Sequence, residues 1–91
     1  MEFEWDEAKS EDCRRRRGFG FDFAVRIFAG PTYEDEDTRF RHGEQRIKAV
    51  GAVNGRVLVV IYTDRGDVCR IISARNAEAW EKEQWRRFVE P

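Results

Sequence analysis

Between Gln45 and Arg75 apolar residues recur at every second or consecutive position in three runs rich in Val, Ile, Ala and Tyr. Asn54-Gly55 breaks the first run from the second, and Asp64-Arg65-Gly66-Asp67 breaks the second from the third. Asn-Gly between two such runs predicts a hairpin, because both turn residues must take positive φ. Antiparallel strands are expected over about Gln45–Val53, Arg56–Thr63 and Val68–Ala74. A two-residue turn at Asn54-Gly55 sets Val50 against Val59 and Lys48 against Ile61. A turn centred on Arg65-Gly66 sets Val68 against Thr63 and Arg70 against Ile61. Side chains alternate between the faces. One face then carries Ile47, Ala49, Gly51, Val53, Leu58, Val60, Tyr62, Cys69, Ile71 and Ser73. The other carries Val50, Val57, Val59, Ile61 and Ile72, with Arg46, Lys48 and Arg70 gathered at one end. Both faces of the central strand need a cover, except at that basic end. Arg75 falls on the face away from it.

The flanks supply the covers. Met1–Trp5 alternates acids with Phe3 and Trp5, the pattern of a short strand. Asp6 is a candidate N-cap for a helix running to about Arg17, and Gly18 ends it. Asp22 can cap a second short helix whose apolar positions are Phe23, Ala24, Ile27 and Phe28, stopped by Gly30-Pro31. Thr32–Arg41 reads either as strand ends or as a loose hairpin, with the acidic run Glu34–Asp37 exposed. Asn76 caps a last helix from near Ala77. Its stripe is Ala77, Trp80, Gln84, Trp85 and Phe88, and Glu78, Glu81, Lys82, Glu83, Arg86 and Arg87 fill the polar side. Trp5, Trp80 and Trp85 therefore read as core. The fold class expected is α+β: an antiparallel sheet of three to four strands, two short N-terminal helices and one C-terminal helix, as one domain over 1–91.

Charge changes this picture more than composition does. Charged residues make up 38% of the chain, yet the formal net charge is −1, so the total does not point to nucleic acid. The distribution does. Glu44 to Arg75 holds six Lys/Arg against three Asp/Glu, Arg14–Arg17 is four arginines in a row, and residues 2–12 hold six acids and one lysine. Cys13 and Cys69 form neither a C-x-x-C pair nor a metal spacing, and Cys69 reads as a small core residue. No apolar run is long enough to span a membrane and no leader peptide is evident, so a cytoplasmic protein is expected.

The chemistry available is narrow. The sequence shows no Gly-rich phosphate loop, no metal cluster and no nominated Ser-His-Asp set, and His42 is its single histidine. No cofactor or metal is expected. Arg46, Arg65, Arg70 and Arg75, at strand ends and in the adjoining turn, suit a phosphate ligand, because the guanidinium fork pairs bidentately with phosphate oxygens. They also suit the extra negative charge of a pentacovalent phosphorus transition state. The bland alternative is that they pair with Glu44, Asp64 or Asp67 at the surface, each pair worth about 0–1 kcal/mol. Arg14–Arg17 is either an electrostatic patch or simply a helix end that favours cations.

The chain resembles the BrnT family of bacterial type II toxins. The resemblance rests on Phe3-Glu4-Trp5-Asp6-Glu7 with Lys9, on Gly18 followed by Phe21-Asp22-Phe23-Ala24, and on Val25 to Phe28. It continues through Gly43-Glu44-Gln45-Arg46, Gly51, Thr63-Asp64-Arg65 and Arg70-Ile71-Ile72-Ser73-Ala74-Arg75. The last two are the more specific. The chain departs from the family at Arg16-Arg17-Gly18, where Lys-His-Gly is usual, at Cys13, where Asn is usual, and at His42, where an aromatic residue is common.

The resemblance implies a RelE-like fold and an RNA-cleaving activity that stalls translation. It implies neutralisation by a BrnA-like antitoxin with a ribbon-helix-helix part, and promoter DNA bound only through that antitoxin. Together with the arginines it points to metal-independent cleavage, in which a ribose 2′-OH attacks the neighbouring phosphate. Arg46, Arg65 and Arg70 would hold the phosphate, and Glu44 or His42 would be the base. Arg16, Arg17, Lys48 and Arg75 would bind the RNA. The rival is a module without catalysis that holds RNA or a partner and acts as co-repressor with its antitoxin.

Overall fold

Local rules at both ends of the first helix agree with the chain. The computed structural model describes the backbone of residues 1–91 and every side chain except those of residues 39–42. Helix α1 spans Glu7–Arg17, and the Asp6 carboxylate accepts from the N–H groups of Ala8 (2.9 Å) and Lys9 (3.3 Å). Gly18 closes it at φ +83°, donating to the Arg14 carbonyl at 2.9 Å. The segment after it is tighter than a single amphipathic helix. A one-turn helix α2, Phe21–Ala24, runs into a 3-10 turn at Val25–Ala29, and its N-cap is Gly20 rather than Asp22. The buried Ser10 hydroxyl fixes the start of α2 by accepting from the Phe21 N–H at 2.9 Å.

The sheet is larger than the meander. Strands β1 (Glu2–Trp5), β2 (Tyr33–His42), β3 (Glu44–Val53), β4 (Arg56–Arg65) and β5 (Val68–Asn76) lie in the order β1-β5-β4-β3-β2. The expectation of three to four antiparallel strands is corrected to five in a mixed sheet, because β1 runs parallel to β5. The long excursion through α1, α2 and β2–β4 permits that parallel pairing, which a tight turn cannot. Glu34–Asp37 lies within β2, where Glu34, Asp35 and Glu36 are exposed as expected and Asp37 is buried against expectation. The reason is cross-strand charge: Asp35 faces Lys48 and Asp37 faces Arg46.

The Asn54-Gly55 hairpin forms as expected, at φ +52° and +81°, with Val50 on Val59 and Lys48 on Ile61. The next hairpin differs. Its turn is Gly66-Asp67, so Arg65 pairs Val68 and Thr63 pairs Arg70, two residues away from the expected register. Gly66 at φ +75° occupies the turn's first position, which selects this turn over one centred on Arg65-Gly66. The shift is even, so the faces of Cys69 to Ile71 are unchanged. A bulge then slips the register by one: Tyr62 faces Ile71, but Ile61 faces Ser73. Beyond it, Ser73 and Arg75 turn to the face of Val59, Ile61 and Lys48, and Ala74 to the face of Val60.

Two cores result. On one face α1, α2 and the 3-10 turn cover Ala49, Val53, Leu58, Val60, Cys69, Ile71 and Ala74, with Phe21, Ala24 and Ile27 inserted among them. On the other, helix α3 (Ala79–Val89) sets Trp85 over Val50, Val59, Ile61 and Ile72. This helix starts later than Asn76 suggests. Its N-cap is Glu78, and Ala77 is buried before it, its N–H on the Val57 carbonyl. Trp80 and Phe88, expected in the core, are 57% and 47% exposed. Glu81, one turn before Trp85 on the same face, is buried where Trp80 was expected.

Candidate nucleic-acid interface

The open end of the α3 face is where three strands place arginines. Arg65 closes β4, and Arg70 stands opposite Thr63 on β5. Continuing the β3–β4 register one step beyond Ile47 and Tyr62 puts Arg46 beside Thr63 from the other side. Arg46 and Arg70 therefore flank Thr63, about 10 Å apart across the sheet, with Arg65 two residues further along β4 between them. Carboxylates already lie there. Glu44 takes both forks of Arg65, at 3.1 Å to Nε and 2.8 Å to Nη2. Glu4, opposite Arg70 across the parallel pair, is 3.6 Å from Arg65 and 3.8 Å from Arg70. The Glu44 contacts raise the Arg65 pKa further above its ordinary value. All these side chains are exposed or half-buried, so each pair is weak and exchangeable. Arg46 faces Asp37 and is likewise engaged. The His42 side chain lies outside the described residues.

The remaining candidates divide into two groups. Lys48 and Arg75 meet on the Glu81 carboxylate, which is 0% exposed. Arg75 approaches it with two nitrogens at 2.7 and 2.9 Å, and Lys48 Nζ lies at 2.6 Å. The expectation that Arg75 lies on the face away from Lys48 is therefore corrected, and the bulge of β5 is the cause. The Glu78 N–H adds a third contact at 2.8 Å. Burial alone would push the Glu81 pKa up. The hydrogen bonds from Arg75, Glu78 and Lys48 outweigh it and hold the pKa at about 2. Trp80 lays its ring against Lys48 Nζ, 4.7 Å from the ring centre. Arg16 and Arg17 stand apart from the arginine cluster, on α1 in the opposite helical layer.

Sequence reasoning missed Glu81 and Glu4. A Glu three residues after Glu78, ahead of the helix, was the available signal for Glu81. Glu4 carried no such signal, because its place beside Arg70 depends on a parallel pairing between distant segments.

The Tyr62 hydroxyl donates to Glu34 on the α1 face, and burial first, then that bond, raises its pKa. Cys69 is pushed up to about 11, by burial first and then by Asp64 and Glu34, and stays a thiol near neutrality. Among the described residues no group of His, Cys, Asp and Glu is arranged to hold a metal ion, and no helix is long and apolar enough to cross a membrane.

The fold is an α+β scaffold with arginines of three neighbouring strands and two carboxylates gathered at one open end of the sheet. Residues 5–81 match the family described as "Ribonuclease toxin, BrnT, of type II toxin-antitoxin system". The chain belongs to the BrnT family of type II toxin–antitoxin ribonuclease toxins. Among curated proteins no match is found.

Proposed function

We propose that this chain is itself an active endoribonuclease that cleaves RNA without a metal and thereby inhibits translation in the cytoplasm. The observation that carries this reading is the convergence of Arg46, Arg65 and Arg70 from three adjacent strands on one open end of the sheet, with Glu44 in reach. A phosphodiester entering there competes with Glu44 for the Arg65 fork. Binding exchanges one exposed ion pair for a bidentate arginine–phosphate pair and releases the Glu44 carboxylate beside the substrate. Glu44 then takes the proton of the ribose 2′-OH, whose oxygen attacks phosphorus while the 5′-oxygen leaves and takes a proton from water. The products are a 2′,3′-cyclic phosphate and a 5′-hydroxyl end. The arginines stabilise the charge that builds on the non-bridging oxygens. His42 is the second candidate for proton transfer.

Lys48 and Arg75, held on Glu81, add positive potential at the border of the cleft, and Arg16 and Arg17 bind RNA from the α1 side. A BrnA-like ribbon-helix-helix antitoxin would neutralise the chain and carry any contact with promoter DNA. The rival reading, RNA or partner binding without cleavage, draws on the carboxylates that already occupy Arg65 and Arg70.

Purified chain with EDTA and a short single-stranded RNA provides the test. The expected result is cleavage with a cyclic phosphate end, loss of cleavage when the 2′-OH is absent, and a fall of about 10²–10³-fold for Arg65→Ala. Glu44→Gln should fall about 10²-fold or more. Intact RNA, bound but uncut by folded wild type, would establish the rival.

A further inference from the structure

One side of α1 carries Lys9, Asp12, Cys13, Arg16 and Arg17, at i, i+3, i+4, i+7 and i+8, so all five share a helix face. That face lines a cavity of about 270 Å³ whose other wall is Phe21 and Ile72, Ser73 and Ala74 of β5. The cavity owes its existence to how β1 ends. Trp5 pairs with Ile71, and beyond that point the outer edge of β5 faces α1 instead of another strand. The Cys13 thiol reaches that edge, donating to the Ala74 carbonyl at 3.5 Å. In a strand the N–H and C=O of one residue point to the same side, so the Ala74 N–H faces the cavity as well. The bulge sits at the same place, between Ile71 and Ser73.

The charge of the cavity is one-sided. Three cations face one carboxylate, and Asp12 is already flanked by Arg16 at 3.0 Å and Arg15 at 3.7 Å. Lys9 makes no ion pair among the described residues. The Arg17 carbonyl accepts from Arg56 at 3.4 Å. The cavity also straddles the edge of the sheet. Ser73 belongs to the α3 face, the face of Arg70, whereas Cys13 and Phe21 belong to the layer of α1. Arg70 and Ser73 are three residues apart on β5, about 10 Å along the strand.

We propose that this cavity binds a second backbone phosphate of the substrate, outside the bond that is cleaved. Lys9, Arg16 and Arg17 supply the charge, and the Ala74 N–H and Ser73 hydroxyl supply directed donors. The strand leaves the arginine cleft past Arg70 and crosses the open edge of β5 to reach it. This subsite rests on the RNA reading above, but it contributes binding and register and no chemistry.

Inorganic phosphate, titrated at constant ionic strength and followed by amide and arginine side-chain NMR, tests the proposal directly. The Ser73 and Ala74 amides and the Arg17 Nε–H are expected to shift. The double variant Lys9→Gln/Arg16→Gln should abolish those shifts and leave any at Arg65 and Arg70. Arg17 is kept because it ends α1, where its carbonyl holds Arg56. A labelled 2′-O-methyl single strand, which cannot be cut, gives the second readout by fluorescence anisotropy. The same variant should bind it about tenfold more weakly, with a log–log salt slope shallower by about 0.7 for each phosphate no longer neutralised. Arg86→Gln/Arg87→Gln removes equal charge from α3 and should change binding less than about twofold. Shifts confined to the arginine cleft, or equal weakening by both double variants, would overturn the subsite and leave the cleavage reading standing. Shifts at Ser73 and Ala74 in a chain that leaves RNA uncut would support the subsite while cleavage fails.

Discussion

Glu81 shows how one residue type can hide its role. Read along the chain it is one of six charged residues on an amphipathic helix; in the fold it is a buried anion holding Lys48, Arg75 and the first turn of α3. Periodicity could not reveal this, because Glu81 and Trp80 both border the face of Trp85, and counting apolar residues favours the tryptophan. Removing one partner of a buried ion pair leaves the others uncompensated. A carboxyl held at about 2 instead of 4.5 corresponds to about 3 kcal/mol of native-state stability. The folded pKa is the lower one, so this contribution is complete above the unfolded value and is lost as pH falls from about 4.5 through about 2. Glu81→Gln should therefore lower stability by about 3 kcal/mol at pH 7 in urea unfolding. Its deficit relative to wild type should shrink steadily below pH 4.5. A deficit that does not change with pH would mean that the carboxylate charge is not what holds the site.

At the scale of elements, the legible parts were those set by short-range rules. The Asp6 cap, the Gly18 stop and the Asn54-Gly55 turn depend on residues within a few positions of one another, and all three lie where the sequence puts them. β1 was legible as a strand, but not its partner. The bulge of β5 left no mark either, since Arg-Ile-Ile-Ser-Ala-Arg can slip by one and keep an apolar residue on each face. That slip decides whether Arg75 joins Lys48, so the face of one candidate was unreadable while Arg46, Arg65 and Arg70 were placed at the correct end. Helix α3 makes the contrast measurable. Trp85 packs on Val50, Val59, Ile61 and Ile72, and Trp80 is 57% exposed over Lys48. Trp85→Ala should cost about 3–5 kcal/mol as a large-to-small core change. Trp80→Ala should cost about 1 kcal/mol, the scale of an exposed cation–π contact. Urea midpoints at neutral pH give both values, and equal losses would contradict this orientation of α3.

For the whole molecule, the net charge and the surface proposed to meet RNA point in opposite directions. The chain carries a formal −1 and a pI of about 5.9, which by itself argues against a polyanionic partner. The fold sorts that charge. Edge strand β2 carries Glu34, Asp35 and Glu36, with Asp35 and Asp37 turned to the basic residues of β3. Arg46, Arg65 and Arg70 stand at the open end of the α3 face, and Lys9, Arg16 and Arg17 at the outer edge of β5. Counterion release follows local phosphate contacts and not the protein's total charge. Single-strand binding should therefore be steeply salt-dependent in spite of the acidic pI. With about four phosphates engaged, the slope of log K against log salt should be about −3. Anisotropy with the uncleavable strand measures it, and a DNA strand of the same sequence should give a similar slope because the phosphates are the same. A slope near zero would mean that the carboxylates beside the arginines are not displaced. The phosphate cleft would then be closed in the form of the protein that binds.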